Sequence, residues 1–312
     1  MKKKWFLHIV LGVAVLFTGT SCEKAGSYHP VKKISKIYIQ EEGQDKQLYA
    51  EWTWKGNNLA QIAYPLDNDT AHFSYNKGAI DRIHYTGKHP RYLSFQYDNR
   101  FYSKMNLYEN DMLTVSCQFF YQDKKISKII VMEYASIKSS MRRHIYDLFA
   151  SLSLPDIAAE SVETVALATN NKGDDNNNGS GGNGGGSGGK VQEEYSFAFT
   201  WNKENISRII TQTRSMRTAM NYYYDEEKNP FRGLQLEVEK ELTIGYDIAS
   251  CSKNNVTRSV LLIGEEHNAK EHSTTEIKYA YNRKYPVMAT STQNFADIAG
   301  LKKIITRWYE YK

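Results

Sequence analysis

The chain has 312 residues, with 40 lysines and arginines against 35 aspartates and glutamates. Three of those lysines lie at the extreme amino terminus, so a chain that is cleaved after them is nearly neutral. The sequence shows neither a basic patch nor an RNA-type aromatic motif. Nucleic acid is therefore not an expected partner. The sequence also lacks a Gly-x-Ser-x-Gly elbow, a Walker loop, a His-Glu-x-x-His motif and a Cys-x-x-Cys pair, which excludes the enzyme classes that these motifs mark.

The first 21 residues are typical of an export signal. Three lysines precede an apolar run from Trp5 to Phe17, and small residues precede Cys22. The run is too short for a permanent membrane helix, and Cys22 stands where a lipoprotein signal peptide is cut, although Gly19 replaces the usual leucine. We therefore predict a lipoprotein signal peptide at 1–21, a lipid on Cys22 that anchors the chain in a membrane, and a tether at 22–30.

The residue after the cysteine favours one of the two bacterial membranes. Position 23 is glutamate, whereas aspartate there is more often associated with inner-membrane retention. The prediction is an outer-membrane lipoprotein, and the sequence leaves open whether its domain faces the periplasm or the medium.

A hairpin pattern organises the rest of the chain, and its clearest copy is YSFAFTWNKENISRII at 195–210. Four aromatic residues alternate and so share one face of a strand, a polar turn follows, and Ile206 and Ile209 return. We expect Ser207, Arg208 and Thr211 to face water.

Other copies of this pattern place a second aromatic residue just before the turn, at Trp54, Tyr75, Tyr97, Tyr121, Tyr224 and Tyr281. The early copies are spaced by roughly 22 residues, which is the length of one hairpin with its connection. The sequence therefore predicts an all-β protein, an antiparallel meander of repeated hairpins curled into a barrel-like or half-barrel sheet. It occupies 31–312 as a single domain, beginning with a strand at 31–40.

The spacing of apolar residues along the chain changes after residue 135. Apolar residues from Ile137 to Leu152 are spaced by three and four, which predicts one amphipathic helix packed on the sheet, within a helical insertion at about 136–167. Residues 156–167 fit a second helix or a strand.

The stretch 170–189 contains only Gly, Asn, Asp, Ser and Lys, and we predict a disordered insert there. It fits either a linker or a loop, and the same hairpin pattern on both sides favours a loop within one domain.

Two cysteines remain after Cys22. Cys117 is in phase with Phe119 and Tyr121 and should point into the core, while Cys251 has no clear environment. The sequence leaves open whether these two cysteines form a disulfide or remain two free thiols.

Candidate sites for chemistry are few. Acidic residues and histidines cluster from Glu265 to Glu276, but His267 and His272 are five apart, which suits neither a helix face nor strand alternation, so we predict no metal and no cofactor. No carboxylate pair for hydrolysis can be chosen without geometry. The chain is therefore expected not to be an enzyme.

Aromatic residues suggest binding instead, because 23 tyrosines and 5 tryptophans exceed the needs of one modest core. Surplus rings on a sheet can stack on sugar rings, and the candidates are Trp52, Trp54, Tyr223 and Trp308. The favoured hypothesis is a non-enzymatic binding or scaffold protein of the cell envelope, with carbohydrate as the sharper expectation. The alternatives are a glycan-acting hydrolase and a protein-protein interaction module.

The units FSYNKGAIDRI, FQYDNRFYSKM and YYYDEEKNPFRGL resemble degenerate YD-type repeats, with Tyr-Asp retained at Tyr97-Asp98 and Tyr224-Asp225. Behind a lipoprotein signal, this arrangement is similar to a lipoprotein family of Gram-negative gut anaerobes described as having a porin-like fold. The resemblance implies a fold and an envelope location, and no catalytic residues. We do not expect the barrel to span a membrane, because spanning strands need about 9 to 11 residues with an apolar outer band, and the strands expected here are nearer six.

Overall fold

The computed structural model describes residues 27–87, 90–134, 191–214, 216–234, 251–296 and 300–312. Within them, sixteen strands follow one another: β1 (Ile34–Glu41), β2 (Gln47–Lys55), β3 (Asn58–Tyr64), β4 (Asp69–Asn76), β5 (Ala79–Tyr85), β6 (Arg91–Asp98), β7 (Phe101–Glu109), β8 (Met112–Gln122), β9 (Lys125–Tyr134), β10 (Val191–Asn202), β11 (Asn205–Gln212), β12 (Arg217–Lys228), β13 (Asn254–Ile263), β14 (Lys270–Asn282), β15 (Tyr285–Phe295) and β16 (Lys302–Tyr311). A short 3₁₀ turn at Pro65–Asp67 lies between β3 and β4.

Each strand pairs antiparallel with the next, and β1 pairs with β16, so the sheet closes into a barrel. The predicted all-β meander is confirmed, and closure decides between a barrel and a half-barrel. The strands are longer than expected, since the shortest has 7 residues and the longest 13. Strand length therefore gives no argument against crossing a membrane, and that part of the sequence argument is wrong.

Every hairpin with a two-residue turn carries the same irregularity just after that turn. Opposite Thr53 and Trp54 the register skips Ala60, and the same shift occurs in the other hairpins, for example beyond Tyr75 and beyond Trp201. The extra residue is a β-bulge, which lets two residues three apart face the same side of the sheet. Ile206 and Ile209 both point inward for this reason. Thr211 follows Ile209 in phase and is buried, so its predicted exposure is wrong.

Aromatic residues near the ends of seven strands also bond to the preceding hairpin or strand. The Tyr75 hydroxyl donates to the Leu59 carbonyl at 2.8 Å, and the Trp201 indole donates to the Ile126 carbonyl at 2.7 Å. The same contact joins Trp54 to Ile34, Tyr97 to Ile80, Tyr224 to Ile206, Tyr279 to Val256 and Tyr311 to Pro286. Each acceptor directly precedes a bulge, so the rings satisfy carbonyls beside the irregular positions of the sheet. Burial raises the pKa of Tyr75 to about 12, which keeps its hydroxyl a proton donor.

Removing one such hydroxyl should weaken the barrel measurably. We expect Tyr75→Phe to lower the free energy of unfolding by about 0.5 to 1.5 kcal/mol, because the Leu59 carbonyl loses its donor. Urea unfolding followed by circular dichroism measures the change. Tyr223→Phe is the control, since Tyr223 is 49% exposed, and an equal loss in both variants would contradict the role of the contact.

The alternation of buried and exposed side chains along each strand shows which side of the sheet faces the core. In β2, Ala50 and Trp52 are buried while Glu51 and Thr53 are exposed. In β6, Leu93 and Phe95 are buried while Gln96 is exposed. Apolar side chains thus fill the barrel and polar ones cover its outside through these strands. A transmembrane barrel has the opposite arrangement, with an apolar band facing lipid and a polar interior.

The barrel has two different ends. At the end that we call the turn end, β2–β3, β4–β5, β6–β7, β8–β9, β10–β11 and β14–β15 are joined by turns of two residues. Lys77–Gly78 and Asp123–Lys124 have positive φ at both positions, the conformation that type I′ hairpins require. The opposite end, which we call the loop end, carries most of the longer connections.

The chain enters the barrel at the turn end and is fixed there. Tyr28 is 1% exposed, its hydroxyl donates to the Pro230 carbonyl at 2.6 Å, and its ring packs against Trp52 and Trp54. The Lys312 amide donates to the Lys33 carbonyl at 2.8 Å, where other hairpins have a turn. The tether predicted at 22–30 is therefore wrong at its end, because Tyr28 belongs to the core.

Several predicted features fall outside the described residues: the signal peptide at 1–21, Cys22, the helical insertion at 136–167 and the insert at 170–189. The described strands offer the predicted helix one matching surface, an outward row of Ala198, Ile210, Ala219 and Leu262 that crosses β10 to β13. Packing of the helix there stays a prediction. No helix among the described residues is long and apolar enough to cross a membrane.

No disulfide joins Cys117 and Cys251. Cys117 is buried in the core next to Val131, and burial raises the pKa of its thiol far above the usual range. Cys251 lies near Tyr102 and Tyr121. Of the two possibilities left open by the sequence, the structure excludes the disulfide between these two residues.

Candidate binding surfaces

Two of the four aromatic residues proposed for ligand stacking belong to the interior. Trp52 is 1% exposed and packs against Tyr28, Trp54 and Phe231. Trp54 is half-buried against the same cluster and uses its indole N–H on the Ile34 carbonyl at 2.7 Å. Neither ring presents a free face to a ligand, so the prediction is wrong for Trp52 and has no support for Trp54.

The other two aromatic residues face outward. Tyr223 on β12 is 49% exposed, with the Arg258 guanidinium 5.4 Å from its ring centre. Trp308 on β16 is half-buried and stands opposite Tyr38 on β1, at the pair of strands that closes the barrel. These two rings lie on different parts of the barrel wall, so the predicted residues do not form a single site.

Trp308 is the centre of an apolar row on the outside, which we call the outer seam. Successive cross-strand neighbours form it across β2, β1, β16, β15 and β14: Leu48, Tyr38, Trp308, Met288 and Ala280. Each of these side chains is half-buried, while neighbouring outward positions such as Glu310 are charged and exposed. The outer seam is thus a shallow apolar strip within a polar surface, with two aromatic rings side by side at its middle.

One cation lies over both rings. The Lys46 ammonium is 4.4 Å from the Tyr38 ring centre and 4.6 Å from the Trp308 ring centre. Lys46 is exposed and belongs to the connection between β1 and β2, so its long side chain is free to move aside. Two aromatic faces with an ammonium group beside them suit a ligand that combines an apolar ring face with hydroxyl groups.

A second polar feature lies inside the barrel towards the loop end. Cross-strand neighbours Lys303, Gln293, Thr275 and Ser259 form a polar inner wall on β16 to β13. Gln293 is 2% exposed, and neither end of its side-chain amide has a partner among the described residues. Ser273, also buried, likewise leaves its hydroxyl unpartnered there. Such groups normally take hydrogen bonds from ordered water, so this wall is suited to hold buried water.

Two carboxylates near other polar groups make structural contacts. Asp69 is buried, bonds to Arg91 at 3.1 Å and accepts from the Thr70 amide. Asp225 accepts from the Asn255 amide at 3.1 Å and also bonds to the Tyr281 hydroxyl. Both carboxylates hold strands and connections together.

The acidic and histidine cluster at 265–276 is also paired. Arg217 lies 3.6 Å from Glu265 and 3.4 Å from Glu266. Across the described residues, no three His, Cys, Asp or Glu side chains are grouped as metal ligands. The cluster forms ion pairs at the loop end.

Comparisons with known proteins add a fold-level likeness. No family model matches the chain, and no curated protein matches it. Among solved structures, a porin-like protein from Bacteroides uniformis has 11% sequence identity and a TM-score of 0.48, over 92% of this chain and 100% of that one. The barrel assignment itself rests on the strand pairing of this chain.

Proposed function

We propose that this chain is a non-enzymatic lipoprotein of the cell envelope that binds carbohydrate on its outer seam. The observation that supports binding there is the pairing of Tyr38 with Trp308 on the outside of the barrel, beneath Lys46. Sugar rings offer apolar C–H faces to aromatic rings and hydroxyl groups to an ammonium, and the outer seam presents both at once.

The barrel interior argues against a channel. Large side chains fill it, including Phe197, Tyr195 and Leu93, each 2% exposed or less. A sixteen-stranded porin leaves an aqueous channel lined by polar groups, whereas a single apolar cluster extends here from β1 to β13. With its polar outer strands, the barrel fits an aqueous compartment beside a membrane, attached through the lipid proposed for Cys22.

The proposal predicts which ring matters. We expect the chain from residue 27 onward to bind a subset of glycans on an array, and Trp308→Ala to reduce the affinity at least about tenfold, because roughly 1.4 kcal/mol of ring contact is lost. Isothermal titration with the best glycan measures the loss. Tyr223→Ala is the matched control, since that ring is exposed on another part of the wall.

Two results would contradict the proposal. If no glycan on the array is bound, carbohydrate is ruled out as the ligand, and a protein partner that binds the outer seam is favoured. Hydrolysis of an array sugar that disappears when one carboxylate is changed would instead establish the rival function, a glycan-acting hydrolase.

A further inference from the structure

The turn end of the barrel carries a positively charged surface. Each of the two-residue turns there includes or directly follows an exposed basic side chain: Lys55, Lys77, Arg100, Lys124, Lys203 and Arg283. The backbone of these turns does not require a basic side chain. Cations are therefore spread around the rim of this end, which we call the basic rim, and they outnumber the exposed carboxylates of Asp98, Asp123 and Glu204 there.

The opposite end has the contrary charge. Acidic side chains predominate in its connections and at the adjoining strand ends among the described residues, at Glu41, Glu42, Asp45, Glu109, Glu265 and Glu266. Because the chain without residues 1–21 is nearly neutral, the two ends give the barrel a charge asymmetry along its axis. A body with one basic end turns that end towards an anionic surface.

The one exposed carboxylate in the two-residue turn of β10 and β11 is neutralised in place. Glu204 lies 2.5 Å from Lys253 and 2.9 Å from Arg232. Its hydrogen bond to Lys253, with the neighbouring Arg232, lowers its pKa, so the carboxylate stays ionised and paired. The basic side chains at the other two-residue turns are exposed.

The amino terminus leads to the same end. Tyr28 is buried at the turn end, and Lys33 bonds to the Gly56 carbonyl at 2.7 Å in the β2–β3 turn. Tyr28 follows Cys22 by only six positions, a reach of about 20 Å when fully extended. A lipid on Cys22 therefore holds the basic rim within one tether length of the membrane surface.

From these observations we propose that the turn end is a docking surface for anionic phospholipid headgroups, so that the barrel sits with its basic rim on the membrane and its loop end away from it. The proposal rests on the envelope location proposed above, but the charge complementarity acts without the lipid. Each basic group close to an anionic bilayer adds to binding, and salt screens the attraction.

The test uses the mature chain from residue 22 with Cys22→Ala, so that no lipid contributes. We expect this chain to co-sediment with vesicles of phosphatidylcholine plus phosphatidylglycerol and not with vesicles of pure phosphatidylcholine. High salt should release the chain from the anionic vesicles. The combined variant Lys55→Glu, Arg100→Glu and Lys124→Glu should lose more than about tenfold in affinity.

A matched variant reverses the same number of exposed charges at the loop end: Arg214→Glu, Lys270→Glu and Lys302→Glu. We expect it to bind like the unchanged chain. Equal loss in both variants would show attraction by net charge alone and overturn the oriented surface, and so would equal binding to neutral vesicles. Neither result bears on lipidation of Cys22, because the tested chain lacks that cysteine.

Discussion

Phe197→Ala is expected to lower the free energy of unfolding by about 3 to 5 kcal/mol, the largest effect of any single change described for this barrel. Phe197 is 0% exposed and packs edge-on against Tyr195 at 5.7 Å between ring centres. Its removal leaves a cavity that neighbouring strands cannot fill, since their backbones are fixed by the closed sheet. Urea unfolding of the chain from residue 27, followed by circular dichroism, measures the loss.

Phe120→Ala provides the matched comparison, because Phe120 lies on the outside of β8 and is 43% exposed. We expect that change to cost less than about 0.5 kcal/mol. The two phenylalanines differ only in which side of the wall they occupy. Equal costs, or a larger cost at Phe120, would show that the inner and outer faces have been assigned the wrong way round.

Cys22→Ala should remove the chain from the membrane fraction. A lipidated cysteine carries several acyl chains, each buried methylene contributing about 0.8 kcal/mol, and this attachment survives any salt concentration. Without it, only the electrostatic contact of the basic rim remains, and salt releases that contact. Cell fractionation with a high-salt wash, together with labelling by a palmitate analogue, gives the readout.

Cys117→Ala is the control for that experiment, because Cys117 is buried in the barrel and distant in sequence from the predicted signal peptide. It should remain labelled and membrane-bound. A Cys22→Ala chain that is labelled as strongly as the unchanged one would rule out the anchor.

Much of the fold follows from short-range patterns. Alternating rings at 195–201 mark one face of a strand, and Lys77–Gly78 marks a tight turn, so hairpins and their inward faces are predictable from residues that are close in the chain. The three-residue spacing of Ile80 and Ile83 is harder to interpret from the sequence, because it resembles one turn of a helix. It becomes intelligible only when the bulge at Asp81 is seen in the register.

The candidate site could not be predicted in the same way. Trp308 was identifiable as a surplus ring, but its partner Tyr38 is about 270 residues away, and the pairing depends on which strands close the barrel. Likewise Trp52 and Tyr223 have similar local surroundings in the sequence, yet one is in the core and the other is exposed, because strand phase separates them. Long-range register, which short-range patterns do not encode, decides both outcomes.

The pairing of β1 with β16 also governs how the molecule is made. β1 acquires this neighbour only when β16 has been synthesised, since Ile34 pairs with Tyr311. Until then β1 has an open edge that other chains can occupy, which exposes the incomplete barrel to aggregation. Barrel closure is consequently a slow late event of high contact order, and loss of even the last few residues should leave β1 open to chaperones and proteases.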